Sequence, residues 1–165
     1  TPVSLKSTLN PTIFVIDRNP VYGKLVQQYL EVADYNEILT FTDAGECIGF
    51  LDLQPDIIIS EFQHADPALS GLNFLRTVKK KSPGTDVIFF TSHHDVEIAV
   101  KAIKLGAAEY IMKSKYAPDS LLRKVNILVG FRDEILKNNR VRRKLIASVG
   151  FLVILTLILV YFYLH

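Results

Sequence analysis

The sequence predicts an α/β protein, a doubly wound sheet of five parallel strands with helices on both faces, followed by one separate apolar helix. Three observations predict it. Five short apolar runs are each followed by a stretch in which apolar residues recur at helical spacing. Strand and helix alternate with short connections, which implies right-handed crossovers and a parallel sheet. Residues 145–164 then read LIASVGFLVILTLILVYFYL, twenty residues without a charge, proline, asparagine or glutamine.

The first strand is Ile13 to Ile16, closed by Asp17-Arg18-Asn19-Pro20, and a helix follows through Val21, Leu25, Val26, Tyr29 and Leu30. Residues 38–41 form a weaker, more polar run, as an edge strand would. Ala44 to Leu53 has helical spacing through Cys47, Ile48, Phe50 and Leu51. Pro55-Asp56 opens the run Ile57-Ile58-Ile59, apolar enough for a strand buried on both faces. A loop from Glu61 to Ser70 leads to a helix through Leu72, Phe74, Leu75 and Val78, ended by Lys79-Lys80-Lys81-Ser82-Pro83-Gly84. Val87 to Phe90 is the fourth strand, and the next helix stops at Gly106, a residue suited to a helix C-terminus. Tyr110 to Met112 is the fifth strand, and Pro118 stands in the first turn of the last helix.

With 165 residues the chain has room for one ordinary domain and an appendage. A hydrophobic content of 49% excludes intrinsic disorder, and a single cysteine, Cys47, excludes a disulfide framework or a multi-cysteine metal site. The positive mean hydropathy, +0.24, has its main source in the run at 145–164. The net charge of +2 conceals a division: residues 1–122 carry 11 Lys and Arg against 15 Asp and Glu, while residues 123–165 carry 8 against 2.

The apolar run as a helix spans about 30 Å, the hydrocarbon thickness of a bilayer. It reads as a transmembrane anchor, with Leu145, Phe151 and Leu155 in the span and Tyr161 and Tyr163 at its far interface. Lys137, Arg140, Arg142, Arg143 and Lys144 precede it with no acid among them, which places that flank in the cytoplasm. Beside an anchor, these cations suit anionic lipid better than nucleic acid. The expected division is an N-terminal extension at 1–10, a domain at 11–130, a basic helical stalk at 131–144 and the anchor at 145–164. The location that follows is a bacterial inner membrane, crossed once, with the N-terminal domain in the cytoplasm.

In a doubly wound sheet, chemistry gathers outside the carboxyl ends of the strands. Those positions hold Asp17-Arg18, Glu61, Thr91-Ser92 and Lys113. Together with IFVIDRNP, QPDIIISE, SGLNFL, VIFFTS and EIAVKAIKLGAAEYIMKS, they resemble the receiver domain of two-component response regulators over about residues 11–130. The resemblance implies a flavodoxin-like sheet of order 2-1-3-4-5 and a phosphorylation switch. In that switch an Asp after the third strand takes a phosphoryl group, an acidic pair after the first strand helps it to hold Mg²⁺, and a Thr and a Lys grip the phosphate.

The sequence keeps part of this set. Asp17, Thr91 and Lys113 match, but Arg18 stands at the second acid and Glu61 at the acceptor. A cation at position 18 repels Mg²⁺, and one added methylene at 61 disturbs in-line geometry for which about 1 Å of misplacement is costly. The reading is therefore a degenerate receiver, with no catalytic residues, metal or cofactor, that works as a phosphorylation-independent interaction module or a subunit of a membrane complex. A working phosphoreceiver with atypical acceptor chemistry is the alternative. Glu61 with Lys113 and Thr91 locks the domain without phosphate on one view, and is a merely salt-bridged remnant on the other. Thr91 and Tyr110 are the bistable pair that the resemblance implies, and Ile98, Lys101, Ala102 and Lys104 lie on its partner face. The expected partners are the lipid bilayer, an unidentified protein and, through the apolar stripe of the last helix, a second copy, but not nucleic acid. His64, His93 and His94 read as solvated loop residues.

Overall fold

The computed structural model describes residues 10–164, without the side chains of 155 and 157–164. Strands β1 (Ile13–Ile16), β2 (Ile38–Phe41), β3 (Ile57–Ser60), β4 (Asp86–Thr91) and β5 (Glu109–Met112) form one parallel sheet of order β2-β1-β3-β4-β5. Between and after them run α1 (Pro20–Glu31), α2 (Ala44–Gly49), α3 (Gly71–Lys81), α4 (Val96–Lys104) and α5 (Ala117–Leu164).

Strand side chains alternate faces, so the sheet is packed on both sides. Phe14, Ile16, Ile58, Val87 and Phe89 meet Cys47 of α2, Phe74, Leu75 and Val78 of α3, and Ala102 of α4. Their neighbours Ile13, Val15, Ile57, Ile59, Ile88 and Phe90 meet Val26 and Leu30 of α1 and Ala117, Leu121, Val125 and Val129 of α5. Helix starts are fixed by side-chain caps: Asn19 Oδ1 accepts from the Val21 and Tyr22 amides, and Asp43 and Asp95 cap α2 and α4. Gly106 follows α4 at φ +96°, where an L side chain is strained.

Several sequence expectations are corrected. α2 stops at Gly49, and Leu51–Leu53 is a separate 3-10 turn closed by Gln54 in the left-handed region. On α1, Val21 and Leu25 face solvent at 67% and 54% exposure; Gly23, Val26 and Leu30 form the buried side. On the expected partner face, Ala102 is fully buried and Ile98 packs against the core, because both turn toward the sheet. Lys101 and Lys104 are exposed, beside Val96, Val100 and Ile103. Cys47 is a buried core residue whose thiol is pushed up to about 12 by burial and the nearby Glu46.

The chain divides into two compact units, one through Val129 and one from Gly130 onward. α5 is 48 residues long. Among the described residues no helix is long and apolar enough to cross a membrane. The helix expected over 145–164 is present as the end of α5, but a membrane crossing is not found among the described residues. Its residues 155 and 157–164, with Leu155, Tyr161 and Tyr163 among them, have side chains outside the described ones.

Candidate functional site

The sheet ladder brings the site together. Glu61 N donates to Ile16 O at 2.9 Å, Asp17 N to Phe41 O at 3.1 Å, and Lys113 N to Thr91 O at 2.8 Å. Each strand is thereby carried one residue past its regular end. Asp17, Glu61, Thr91 and Lys113 emerge at one level on the carboxyl edge of four adjacent strands.

Lys113 is the hub. Its Nζ lies 2.6 Å from Asp17 Oδ2 and 2.8 Å from Glu61 Oε2, and all three side chains are only 10–12% exposed. The ammonium also sits 4.3 Å from the centre of the Tyr22 ring, within reach of cation–π attraction. Burial alone would lower the Lys113 pKa, but hydrogen bonds and charge attraction from Asp17 and Glu61 outweigh it and raise it.

Glu61 uses both carboxylate oxygens. Oε2 takes the Lys113 ammonium, while Oε1 accepts from the Thr91 hydroxyl and, at 2.8 Å, from the Phe62 amide. Burial pushes its carboxyl upward, but the bonds from Lys113, Thr91 and Phe62 prevail and hold it below the usual carboxylate range. Asp17 Oδ1 accepts from Asn19 N at 2.9 Å, which ties this carboxylate to the start of α1.

A polar chain leads outward from Glu61. Thr91 Oγ1 donates to Glu61 and accepts from His93 N at 3.0 Å, so the hydroxyl is held in both roles. Tyr110 Oη donates to His93 O at 2.9 Å. The Phe62 ring stacks on the His93 ring, 5.4 Å between centres and 9° between planes, and lies 5.9 Å from Tyr110. Burial, with the charges of Glu61 and Asp95, pushes the Tyr110 phenol up to about 12.

The structure thus joins four of the five expected pocket residues and leaves out one. Arg18 is exposed and, among the described residues, forms no ion pair with Glu61; Lys113 alone does so. Two histidines read as solvated are also corrected. His93 stacks on Phe62, and His64 is buried against Phe74 with its Nε2 3.4 Å from Ser60 Oγ. Burial lowers the His64 pKa against the attraction of Glu61 and Asp43.

Phe62, His93 and Tyr22 were not foreseen as site residues. One signal for Phe62 stood in the sequence at Gly71, where a Cβ would come within 2.4 Å of the Phe62 ring. Glycine there makes room for the aromatic residue beside Glu61.

The residues do not fit Mg²⁺. That ion wants several carboxylate and water oxygens in octahedral geometry. Here the second acid is Arg18, and both remaining carboxylates, Asp17 and Glu61, already hold the Lys113 ammonium. Among the described residues no three acids, histidines or cysteines come together as a metal site.

The family model for the response regulator receiver domain matches residues 13–126. The chain belongs to the response regulator receiver family. It is 31% identical over 134 residues to the C4-dicarboxylate transport transcriptional regulatory protein DctD of Rhizobium meliloti, covering 81% of this chain and 28% of that protein. It is 35% identical over 80 residues to the regulatory protein LuxO of Vibrio cholerae, covering 48% of this chain and 17% of that protein. The chain therefore spans well under half the length of these relatives. Among solved structures, a response regulator receiver domain protein from Clostridium thermocellum superposes with a TM-score of 0.66 at 30% identity, over 76% of this chain and 98% of that one. The receiver domain of a LuxO repressor from Vibrio parahaemolyticus, at 23% identity and a TM-score of 0.67, has the same fold.

Proposed function

We propose that this receiver holds itself in one state through Glu61 and serves as a protein-interaction module that needs no phosphorylation. One observation carries the reading: the Glu61 carboxylate engages the Thr91 hydroxyl and the Lys113 ammonium at once. These are the two groups with which a receiver grips phosphate, so the glutamate side chain stands where a phosphoryl group would otherwise be held. The Thr91–His93–Tyr110 chain links that carboxylate to the Tyr110 ring, and through it the pocket bears on the α4 side of the domain. Val96, Val100 and Ile103 are exposed there at helical spacing, flanked by Lys101 and Lys104, and offer a partner protein an apolar ridge with a basic margin.

No enzymatic role is assigned to the pocket, because its carboxylates are committed to Lys113 rather than poised toward a substrate. The degenerate character rests on Arg18 and Glu61. Membrane attachment is part of the same reading, supported by the uncharged run at 145–164 and the five cations before it. It places the receiver on the cytoplasmic side of a bacterial inner membrane.

Beryllofluoride with Mg²⁺, added to the chain while backbone amide resonances are recorded, tests the central claim. Unchanged resonances at Asp17, Thr91 and Lys113 are expected. Saturable, Mg²⁺-dependent shifts at those residues would instead establish a working phosphoreceiver.

A further inference from the structure

We propose that one face of α5, formed by Asn139, Arg140, Arg143 and Lys144, binds the phosphate head groups of anionic phospholipid; the choice of lipid as partner rests on the membrane-attachment reading above. The five cations before the apolar run are not equivalent. Leu136, Asn139, Arg140, Arg143 and Lys144 are linked by steps of three and four residues, which puts them on one side of the helix. These five residues line one shallow concavity, and all are exposed. Lys137, three residues before Arg140, is distinguished by an acidic partner, with its Nζ 3.8 Å from Asp133 Oδ2.

Like charges three and four residues apart on a helix repel. Among the described residues none of Arg140, Arg143 and Lys144 forms an ion pair, so the face carries a local excess of positive charge that an anion would relieve. The donor set is suited to phosphate: two planar guanidinium forks, an amide and an ammonium, around the apolar floor of Leu136.

Position selects the source of that phosphate. Arg140 to Lys144 lie within about 8 Å of Leu145 along the helix axis, at about 1.5 Å per residue. If the uncharged run that starts there enters the acyl region, this face stands at head-group level. A nucleic-acid backbone has no comparable reason to be met at the edge of an apolar run.

The full chain, reconstituted in phosphatidylcholine bilayers containing spin-labelled phosphatidylglycerol, provides the test. The labelled anionic lipid should be immobilised at the protein in preference to labelled phosphatidylcholine by about fivefold or more, the worth of a single surface cation. The preference should weaken at high salt. It should disappear in the triple variant R140Q/R143Q/K144Q and persist in K137Q/R142Q. Equal loss in both variants, no preference in the unaltered chain, or displacement of the labelled lipid by a 20-mer oligonucleotide would overturn the proposal. Flotation with pure phosphatidylcholine vesicles reads membrane attachment separately. If the chain fails to float there, attachment by the apolar run is wrong, and flotation with phosphatidylglycerol vesicles still decides whether the basic face binds them.

Discussion

A carboxylate at position 61 meets three donors because the side chain is a glutamate. Asp17 and Glu61 approach Lys113 from neighbouring strands, and the extra methylene carries the Glu61 carboxylate across to Thr91 as well. An amide of the same shape would keep an oxygen for one donor and turn an NH₂ toward another. Glu61→Gln should therefore cost about 1–3 kcal/mol in denaturant unfolding at neutral pH, the usual worth of bonds to a charged group. The pH dependence follows from the direction of the shifts. The Glu61 pKa is depressed by folding, so its contribution is present above the unfolded value and is lost as pH falls through the folded one. The Lys113 pKa is raised, so its contribution is present below the unfolded value and is lost as pH rises through the folded one. Unaltered chain and Glu61→Gln should thus differ most in the middle of the pH range and converge under acid; a constant gap down to acid pH would contradict the ion-paired glutamate. Gly71 makes a second residue-scale case. A methyl group there would strike the Phe62 ring, so Gly71→Ala should destabilise the domain by about 1–3 kcal/mol, the cost of overpacking. Tyr110 and His93 amide resonances should move with it, because both rings rest on Phe62.

At the scale of elements, the strands were the most legible part of the sequence. Three of them, β1, β3 and β4, are apolar throughout their central residues, and burial on both faces demands that pattern. The helices were harder to orient. Apolar periodicity on α1 admitted Val21 and Leu25 to the core, yet the helix turns Gly23, Val26 and Leu30 inward and leaves those two in solvent. On α4 it was the family resemblance that put Ala102 on the partner face, although alanine at 0% exposure packs there against the sheet. Pocket membership could be read from positions at strand ends; which charges pair could not. Arg18 and Lys113 are equally cationic in the sequence, but only Lys113 projects from β5 into the space between Asp17 and Glu61. The end of α4 offers a test of this scale. Gly106 holds φ +96° after the last turn, and Gly106→Ala should lower stability by about 1–2 kcal/mol in thermal unfolding, as a Cβ in that region would be strained. A change of no more than a few tenths would mean that the turn relaxes to another conformation.

For the whole molecule, the average composition conceals two dissimilar parts. The acidic excess lies in the folded sheet domain, and the basic excess with nearly all the surplus hydropathy lies in the C-terminal region. Among the described residues, Val129 is the last member of either buried apolar cluster, and the chain divides into its two units directly after it. The expectation is that the receiver owes its stability to residues before that point, and that any need for detergent comes from residues after it. A chain ending at Leu136 keeps Ala117, Leu121, Val125 and Val129 on α5 and omits the basic face and the apolar run. It should remain soluble without detergent and unfold in one cooperative transition. Its midpoint should lie within about 4 °C of that of the full chain in detergent, because about 1 kcal/mol in a domain of this size shifts the midpoint by several degrees. Its Glu61→Gln variant should lose as much stability as the full-length variant does. A shortened chain that aggregates or melts far lower would show that the C-terminal unit supports the sheet domain, and the two parts would then have to be treated as one folding unit.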